Sequence, residues 1–317
     1  MSPTQEKPNN EVPVEEEIFP RKSSIFSRLK DTVIKHKILS VGLALVIVIL
    51  IGVVGYMVYK NHHKTSVSTA TSKSIASAKS TNQSSDPSGE SIPTNPPPGY
   101  QQVFAEDFNA SSLDSNWYAY PLKQANPQAG YWNPSHIVIG GGLATIKTYE
   151  DPADNNAWTS AGMSSKPGLV QTYGEYLVRS RITSSVGVSF TELLWDATNT
   201  WSPEVDFSES NGTNTTAYAN LLWANRGDQQ HAHTTVDLTQ WHTWGVIWTS
   251  SSLQFTLDGK VWATMDTPGT IPNGPMVLDL QGHTWSCNNS FHKVCPNSST
   301  PPVSALQVDW VVAYHQN

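Results

Sequence analysis

Three carboxylates fall within the six-residue segment EVDFSE, at Glu204, Asp206 and Glu209. Side chains on a β-strand alternate between its two faces, so a regular strand places Glu204 and Asp206 on one face and Glu209 on the other. A β-bulge at Phe207 or Ser208 adds the one residue that returns Glu209 to the face of the other two acids. Clustered like charges raise one another's pKa, and tolerating them is typical of a site that performs chemistry. The alternative is a solvated acidic edge strand.

The chemistry that suits such a cluster is the retaining cleavage of a glycosidic bond. It requires two carboxyl groups at close range, one ionised and one protonated. The flanking residues favour this interpretation over a solvated strand, since Trp201 lies just upstream and Pro203 stands at the strand entrance. The segment after Glu209 is rich in Gly and Asn, which is typical of a loop.

Composition excludes some classes of ligand. The chain has 317 residues, a net charge of -7 and only 14% charged residues. From Pro98 to the C-terminus there are 8 Lys and Arg against 18 Asp and Glu, and all 12 Trp lie in this region. Nucleic-acid binding needs a basic surface, so no nucleic-acid partner is expected. An aromatic, Lys-poor region suits a neutral sugar, and about 220 residues suffice for one all-β domain with a sizeable core.

A run of 22 residues without a charge, 38–59, predicts one transmembrane helix. Its length of about 33 Å matches a hydrocarbon core of about 30 Å, and it lies too far from the N-terminus for a cleaved signal peptide. Six Lys and Arg lie in residues 21–37, just before the run, and three lie in residues 60–73, just after it, which places residues 1–37 in the cytoplasm as a largely disordered tail. Residues 60–97, rich in Ser, Thr and Pro, predict a disordered linker to an extracytoplasmic domain, 98–317. The lipid bilayer is thus an expected partner.

From residue 98 onward the chain favours many short strands, and no stretch shows a capped helical period. The runs with strand-like patterning cover 135–148, 174–183, 241–249, 253–263 and 305–314. Asp258-Gly259 lies between two alternating runs and is a strong signal for a two-residue type I′ hairpin turn. Strands at this spacing predict an all-β sandwich or barrel.

Beyond the E-x-D-x-x-E pattern of the acids, six further segments follow one another in the order of a known family. They are 103–117, 173–182, 193–196, 237–248, 258–259 and 308–314. On these residues the region from Tyr100 to Tyr314 resembles glycoside hydrolase family 16, in its bulged, laminarinase-like form. The resemblance implies a concanavalin-like jelly-roll sandwich of two antiparallel sheets, with a sugar-binding cleft along the concave sheet. It also implies retaining cleavage of β-1,3 or β-1,3/1,4 glucans or related galactans.

Carried over by position, the resemblance makes Glu204 the nucleophile, Glu209 the general acid/base and Asp206 the carboxylate that tunes the nucleophile. A retaining enzyme places its two carboxyls about 5–5.5 Å apart, which is the distance expected between Glu204 and Glu209. One departure concerns the strand after the acids, where many laminarinase-like members carry a His beside an aromatic residue. This chain has Leu222-Trp223 there, so a hydrogen-bonding partner near the acid/base is expected to be missing.

Aromatic and polar residues around the acids are the candidates for binding the polysaccharide substrate. Trp201 and Trp195, which flank the acidic strand, are the strongest of them. The remaining candidates are Trp132, Asn133, Trp223, Gln281 and Trp285. For each Trp, packing in the core is the alternative.

A metal and a disulfide are expected outside the acid cluster. The resemblance implies that Asp309, on the last strand, helps to bind a structural calcium, together with backbone carbonyls near Glu106 and Gly141. An ordinary strand-end Asp is the alternative, and no cofactor is expected to be required. Cys287 and Cys295 are the only two cysteines, and outside the membrane they are expected to form a disulfide.

The leading hypothesis is a membrane-anchored, extracytoplasmic retaining endo-β-glucanase that works through a glycosyl-enzyme intermediate on Glu204. A cell-surface transglycosylase is one alternative, and the sequence does not separate it from a hydrolase. A non-catalytic carbohydrate-binding module is another, although binding alone does not need three acids. A structural surface protein is the third, and the many aromatic candidates for a cleft argue against it.

Overall fold

A computed structural model of the chain describes residues 86–124, 130–223, 229–284 and 294–317. The predicted tail and transmembrane segment, and the predicted linker up to residue 85, lie outside these residues. In the part of the chain that is described, no helix is long and apolar enough to cross a membrane.

Within the described ranges the chain forms 18 strands and two short 3-10 helices, Pro134–His136 and Pro152–Asp154. The strands are β1 (Tyr100–Glu106), β2 (Tyr118–Ala119), β3 (Lys123–Gln124), β4 (Tyr131–Trp132), β5 (Ile137–Gly140), β6 (Leu143–Asp151), β7 (Ala157–Ser160), β8 (Gly162–Ser164), β9 (Gly174–Ile182), β10 (Ser189–Asp196), β11 (Glu204–Ser210), β12 (Thr216–Leu222), β13 (Gln229–Thr235), β14 (His242–Trp248), β15 (Leu253–Leu257), β16 (Lys260–Met265), β17 (Met276–His283) and β18 (Ser304–Gln316).

The strands form two sheets. The larger sheet has 11 strands in the order β16-β15-β14-β9-β18-β6-β7-β4-β3, with β1 beside β18 and β5 beside β6. The smaller sheet has seven strands in the order β13-β12-β11-β10-β17-β8-β2. Apart from the parallel contact of β4 with β7, the strand pairs described are antiparallel. The predicted all-β sandwich is confirmed.

Local sequence signals account for the strands that frame this sandwich. The hairpin of β15 and β16 turns at Asp258 and Gly259, whose φ angles of 49° and 73° are those of the predicted type I′ turn. Strand β9 alternates strictly between buried and half-buried side chains, as a strand with one face in a core must.

The hydrophobic core lies between the two sheets. Trp244 and Trp248 of β14 are at most 2% exposed, and Phe207 of β11 is fully buried in the same cluster. Burial of side chains of this size stabilises the fold by roughly 2–3 kcal/mol each. The core face of β11 therefore fixes the position of the strand that carries the acids.

An acidic side chain, Glu192 of β10, also points into this core and is only 2% exposed. The Ser180 hydroxyl donates a hydrogen bond to Glu192 Oε1, while Oε2 has no partner among the described residues. The carboxyl faces a cavity of about 20 Å³ that Ser208 and Ser210 also line, which is room for about one water molecule. Burial raises the pKa of Glu192 to about 8, and the hydrogen bond from Ser180 offsets part of that rise.

Replacing Glu192 with Gln is expected to stabilise the fold at alkaline pH. The pKa of Glu192 is higher in the folded chain than in the unfolded one, so its protonated form favours folding. That stability is present at acid pH and is lost as the pH rises towards about 8. The Gln variant has nothing to ionise, so above that pH its Tm should exceed the wild-type Tm by about 5–10 °C. Calorimetry over a pH series measures the difference.

The exposed Glu150→Gln variant serves as the control, and its Tm should follow the wild-type curve. Below about pH 4, where a free Glu is protonated, the Glu192→Gln and wild-type curves should converge. Parallel curves at every pH would contradict this account of Glu192.

Candidate active site

Strand β11 carries the three acids, and its pairing with β10 contains an irregularity. Leu193 of β10 lies opposite Asp206, and the preceding Glu192 lies opposite Ser208. One step along β10 thus spans two steps along β11, which leaves Phe207 as the extra residue. The β-bulge expected from the spacing of the acids is therefore present, at Phe207.

The pairing of β11 with β12 shows the same irregularity. Asn220 of β12 lies opposite Asp206, and Tyr218 lies opposite Glu209, so two steps along β12 span three along β11. Residues that lie opposite one another in an antiparallel pair share a face. Glu204, Asp206 and Glu209 therefore project from one face of the smaller sheet, away from the core.

Hydrogen bonds from Asn220 and Trp201, and a direct interaction between two of the carboxyls, hold the three acids in place. Asn220 Nδ2 donates to Asp206 Oδ2 at 3.0 Å and to Glu209 Oε2 at 2.6 Å. Trp201 Nε1 donates to Glu204 Oε2 at 2.6 Å. The Asp206 and Glu204 carboxyls interact directly, which lowers the pKa of Glu204 and raises that of Asp206. The Asp206 and Glu209 side chains are largely withdrawn from solvent, with 4% and 7% exposure.

The three carboxyls differ in how strongly they retain a proton. Burial and the charge of Glu204 raise the pKa of Glu209 to about 8, partly offset by the hydrogen bond from Asn220. Burial and the charges of Glu204 and Glu209 raise the pKa of Asp206 well above its usual value. Burial also raises the pKa of Glu204, and the hydrogen bond from Trp201 and the interaction with Asp206 offset only part of that rise.

This pattern separates the roles of the acids. The hydrogen bond from Trp201 and the interaction with Asp206 favour the ionised form of Glu204, whereas the pKa of Glu209 is raised to about 8, so Glu209 favours its protonated form at neutral pH. An ionised carboxylate beside a protonated one can attack an electrophilic carbon while the second group protonates the leaving oxygen. The geometry thus supports an acid pair of the kind that the spacing predicts.

Asn220 is a candidate functional residue that the sequence reasoning missed. The pair Leu222-Trp223 lacks the His that many laminarinase-like members carry there, and a hydrogen-bonding partner for Glu209 was expected to be missing. The side-chain amide of Asn220 supplies that hydrogen bond. The signal was available, because Asn220 lies two positions before Leu222 and so shares its face of β12. A polar residue at that point in the apolar run AYANLL requires a polar partner on the same face.

Two predicted substrate-binding residues, Trp201 and Trp195, lie beside the acids. Trp195 of β10 lies directly opposite Glu204, and its Nε1 donates to Asn199 Oδ1 at 3.1 Å. Trp201 is 37% exposed and contacts the Glu204 carboxyl through its indole N–H. One indole face can therefore meet a sugar while the N–H orients the carboxylate.

Gln281 of β17 also lies on the face of the acids. It stands opposite Thr191 of β10, which in turn stands opposite Glu209. Two strand spacings of about 4.8 Å therefore separate the backbone of Gln281 from that of Glu209. Asp279, two positions earlier on the same strand, shares this face and was missed at the sequence level.

Trp132 belongs to a group of side chains around Asp279. Tyr120 donates a hydrogen bond to Asp279 Oδ2 at 2.5 Å, and its ring meets the Trp132 ring edge-on at 4.9 Å. Trp132 Nε1 donates to the Gly282 carbonyl at 3.0 Å. Burial raises the pKa of Asp279 to about 7, and hydrogen bonds from Ser164 and Tyr120 offset part of that rise. This group places aromatic and acidic side chains on the β17 side of the acids.

Two other candidates are engaged elsewhere. Asn133 Oδ1 accepts hydrogen bonds from the backbone N and hydroxyl of Ser135, and its Nδ2 donates to Asp154 at 3.2 Å. The Asn133 side chain therefore caps the first 3-10 helix. Trp223 packs against the core, and its carbonyl accepts a hydrogen bond from the Ser202 hydroxyl. A role for either in sugar binding stays a prediction.

The last sequence-level predictions lie away from the acids. Asp309 is on β18 in the larger sheet, whereas the acids are on the smaller sheet. Cys295 is disulfide-bonded. Trp285 and Cys287 lie outside the described residues.

A two-sheet β-sandwich that gathers three acids on one bulged strand, with Trp side chains beside them, defines the class of jelly-roll glycosidases. Residues 116–311 match the family model of the glycosyl hydrolases family 16. The match covers more than half of the chain, and the chain belongs to this family.

Solved structures show the same fold. The laminarinase from Rhodothermus marinus superposes with a TM-score of 0.60 at 18% identity, over 69% of this chain and 98% of that one. The catalytic domain of an endo-1,3-beta-glucanase (laminarinase) from Thermotoga petrophila gives a TM-score of 0.60 at 15% identity, over 69% and 98% of the two chains. The jelly-roll architecture is thereby established.

Relatives with assigned activities match at similar identity. The endo-1,3-1,4-beta-glycanase ExsH of Rhizobium meliloti is 22% identical over 244 residues, which is 67% of this chain and 51% of ExsH. The beta-glucanase of Rhodothermus marinus is 23% identical over 192 residues, which is 52% of this chain and 65% of that protein. The chain thus spans about half of ExsH and slightly under two thirds of the beta-glucanase.

Proposed function

We propose that the chain is a retaining endo-glycosidase that cleaves β-1,3 or β-1,3/1,4 glucan through a covalent glycosyl-enzyme intermediate. The observation that carries this proposal is the contrast between Glu204 and Glu209 on one face of the sheet. The Trp201 N–H donates to Glu204 and favours its ionised form. The pKa of Glu209 is raised to about 8, so Glu209 holds its proton at neutral pH. Relatives named as glucanases and laminarinases support the substrate class.

In the first step the Glu204 carboxylate attacks the anomeric carbon of the bound glucan. The bond between that carbon and the glycosidic oxygen breaks, and Glu209 donates its proton to the leaving oxygen. The product is an ester between the sugar and Glu204, together with a shortened glucan. The interaction with Asp206 lowers the pKa of Glu204 in the free enzyme, and we expect Asp206 to orient the nucleophile.

In the second step Glu209, now a carboxylate, removes a proton from a water molecule. The water oxygen attacks the anomeric carbon from the side that the leaving group vacated, and the ester bond to Glu204 breaks. Glu209 is protonated again and the original anomeric configuration is restored. A second sugar in place of the water would make the enzyme a transglycosylase.

Product analysis tests the proposal. The full-length protein is incubated with laminarin, with a mixed-linkage β-glucan and, as a negative control, with an α-linked glucan. Proton NMR during the first minutes should show the β-anomer of the new reducing end before mutarotation. The α-anomer appearing first would contradict retention. Binding without new reducing ends would favour a carbohydrate-binding module, and products longer than the substrate would favour a transglycosylase.

We further propose that the enzyme is anchored in a membrane with its N-terminus in the cytoplasm and residues 98–317 outside. The uncharged run 38–59 and the excess of Lys and Arg before it support this topology. Release of the full-length chain from membranes by alkaline carbonate, or resistance of residues 98–317 to protease added outside intact cells, would contradict it.

A further inference from the structure

Residues 86–92, DPSGESI, fall within the predicted disordered linker. They nevertheless pack on the larger sheet and form a segment that we name the N-terminal strap. The strap begins with a β-turn in which the Gly89 N–H donates to the Asp86 carbonyl at 2.8 Å. Pro87 and Gly89 occupy the turn positions that these residue types favour. The Ser91 hydroxyl closes the strap by donating to Asp86 Oδ2 at 2.5 Å.

The strap lies over a bulge in β18. Val308 pairs with Ser180 of β9 and Trp310 pairs with Arg179, which leaves Asp309 as the extra residue. A bulge of this kind turns two neighbouring side chains, here Asp309 and Trp310, towards the same side of the sheet. Their neighbours Val308 and Val311 belong to the core between the sheets, so Asp309 and Trp310 face outward.

Both outward-facing side chains are bound by the strap. The Ser88 backbone N–H donates to Asp309 Oδ2 at 3.0 Å. Trp310 Nε1 donates to the Glu90 carbonyl at 2.9 Å. Ile92 adds apolar contact with a cluster formed by Trp310 and two further β18 side chains, Val312 and Tyr314.

One cation, Arg179, lies among the carboxylates around Asp309. Arg179 Nη1 lies 3.1 Å from Glu90 and 3.8 Å from Asp258. Burial and the charge of Asp86 raise the pKa of Asp309, and hydrogen bonds from Ser88 and the charge of Arg179 offset only part of that rise. The carboxyl is 3% exposed. The Ser88 N–H thus occupies Oδ2 of Asp309, and the Arg179 guanidinium offsets part of the surrounding negative charge.

These surroundings do not fit the calcium expected at Asp309. Calcium takes six to eight oxygen ligands, and the expected carbonyls included one near Gly141. The strap reaches that turn, since a methyl group placed on Gly142 would come within 3.2 Å of the Pro87 ring.

We infer that the strap takes the place of a calcium ion at the β18 bulge, so that residues 86–92 belong to the folded domain and its stability does not depend on calcium. This inference concerns the larger sheet and is independent of the proposed function, which concerns the acids of the smaller one.

The first test measures the Tm of the full-length chain in excess EDTA and in millimolar calcium chloride. The inference expects the same Tm in both, and no heat of binding when calcium is titrated into the EDTA-treated, dialysed protein. A Tm that falls in EDTA and recovers with calcium would overturn it, and loss of that recovery in the Asp309→Asn variant would place the ion at the β18 bulge.

The second test removes the strap's donor. Ser88→Pro eliminates the backbone N–H that binds Asp309, whereas the matched Ser88→Ala variant keeps it. Loss of a hydrogen bond to a buried carboxylate should lower the Tm of Ser88→Pro by about 3–10 °C relative to Ser88→Ala. Equal Tm values for the two variants would overturn the role of the strap. If Ser88→Pro fails to fold, the calcium titration of the wild-type chain still decides the inference.

Discussion

Replacing Glu204 with Ala is expected to reduce the release of reducing ends from laminarin by about 10⁴–10⁶-fold, because the variant cannot form the glycosyl-enzyme ester. The fold should persist, since Glu204 is half-buried at the first position of β11 and lies outside the core cluster. A reducing-end assay measures the loss, and a thermal scan confirms that the variant is folded. Asp266→Ala, which removes an exposed acid beyond β16, should retain wild-type activity.

Rescue of the activity of the Ala variants by a small anion distinguishes the nucleophile from the acid/base. Azide can enter the space left by the Glu204 side chain and attack the anomeric carbon of an activated aryl β-glycoside from the same side as the carboxylate. The product of Glu204→Ala is then the α-glycosyl azide. In Glu209→Ala the ester on Glu204 still forms, and azide attacks from the opposite face to give the β-glycosyl azide. If Glu204→Ala gave the β-glycosyl azide and Glu209→Ala the α-glycosyl azide, Glu209 would be the nucleophile and Glu204 the acid/base. Full activity of Glu204→Ala would show that Glu204 takes no part in the mechanism.

The acids and their bulge could be predicted because both depend on residues adjacent in sequence. A side-chain period of two and a spacing of five between Glu204 and Glu209 require one extra residue, and the structure supplies it at Phe207. The hairpin at Asp258-Gly259 was equally predictable, since the turn type follows from two residues.

Contacts between distant strands could not be predicted in the same way. Asp279 joins the face of the acids only because β17 pairs with β10, and nothing within the run MVLDLQ reveals that neighbour. The strap was assigned to the linker because its composition is polar and rich in Pro, Gly and Ser. Its hydrogen bonds to Asp309 and Trp310 join residues separated by 221 and 220 positions, so its order depends on the finished sheet.

Glu209→Gln is expected to lower the rate on laminarin by about 10²–10⁴-fold and to remove the alkaline limb of its pH profile. Wild-type activity should fall as the pH rises through about 8, because ionised Glu209 has no proton to give to the leaving sugar. The Gln side chain can still accept the hydrogen bond from Asn220 through its carbonyl oxygen, so the site should keep its geometry. Profiles of kcat/KM against pH measure the effect.

The chemistry of the leaving group supplies the control for this prediction. An aryl β-glycoside whose leaving group needs no protonation should form its ester with Glu204 in the Gln variant at close to the wild-type rate, seen as a burst of the released phenol.

The Asn220→Ala variant independently tests which group causes the alkaline limb of the pH profile. The hydrogen bond from Asn220 lowers the pKa of Glu209, so without it the limb should move to higher pH. An alkaline limb that persists unchanged in Glu209→Gln would show that another group titrates there, and Asp279, with a pKa raised to about 7 by burial, would be the first to examine.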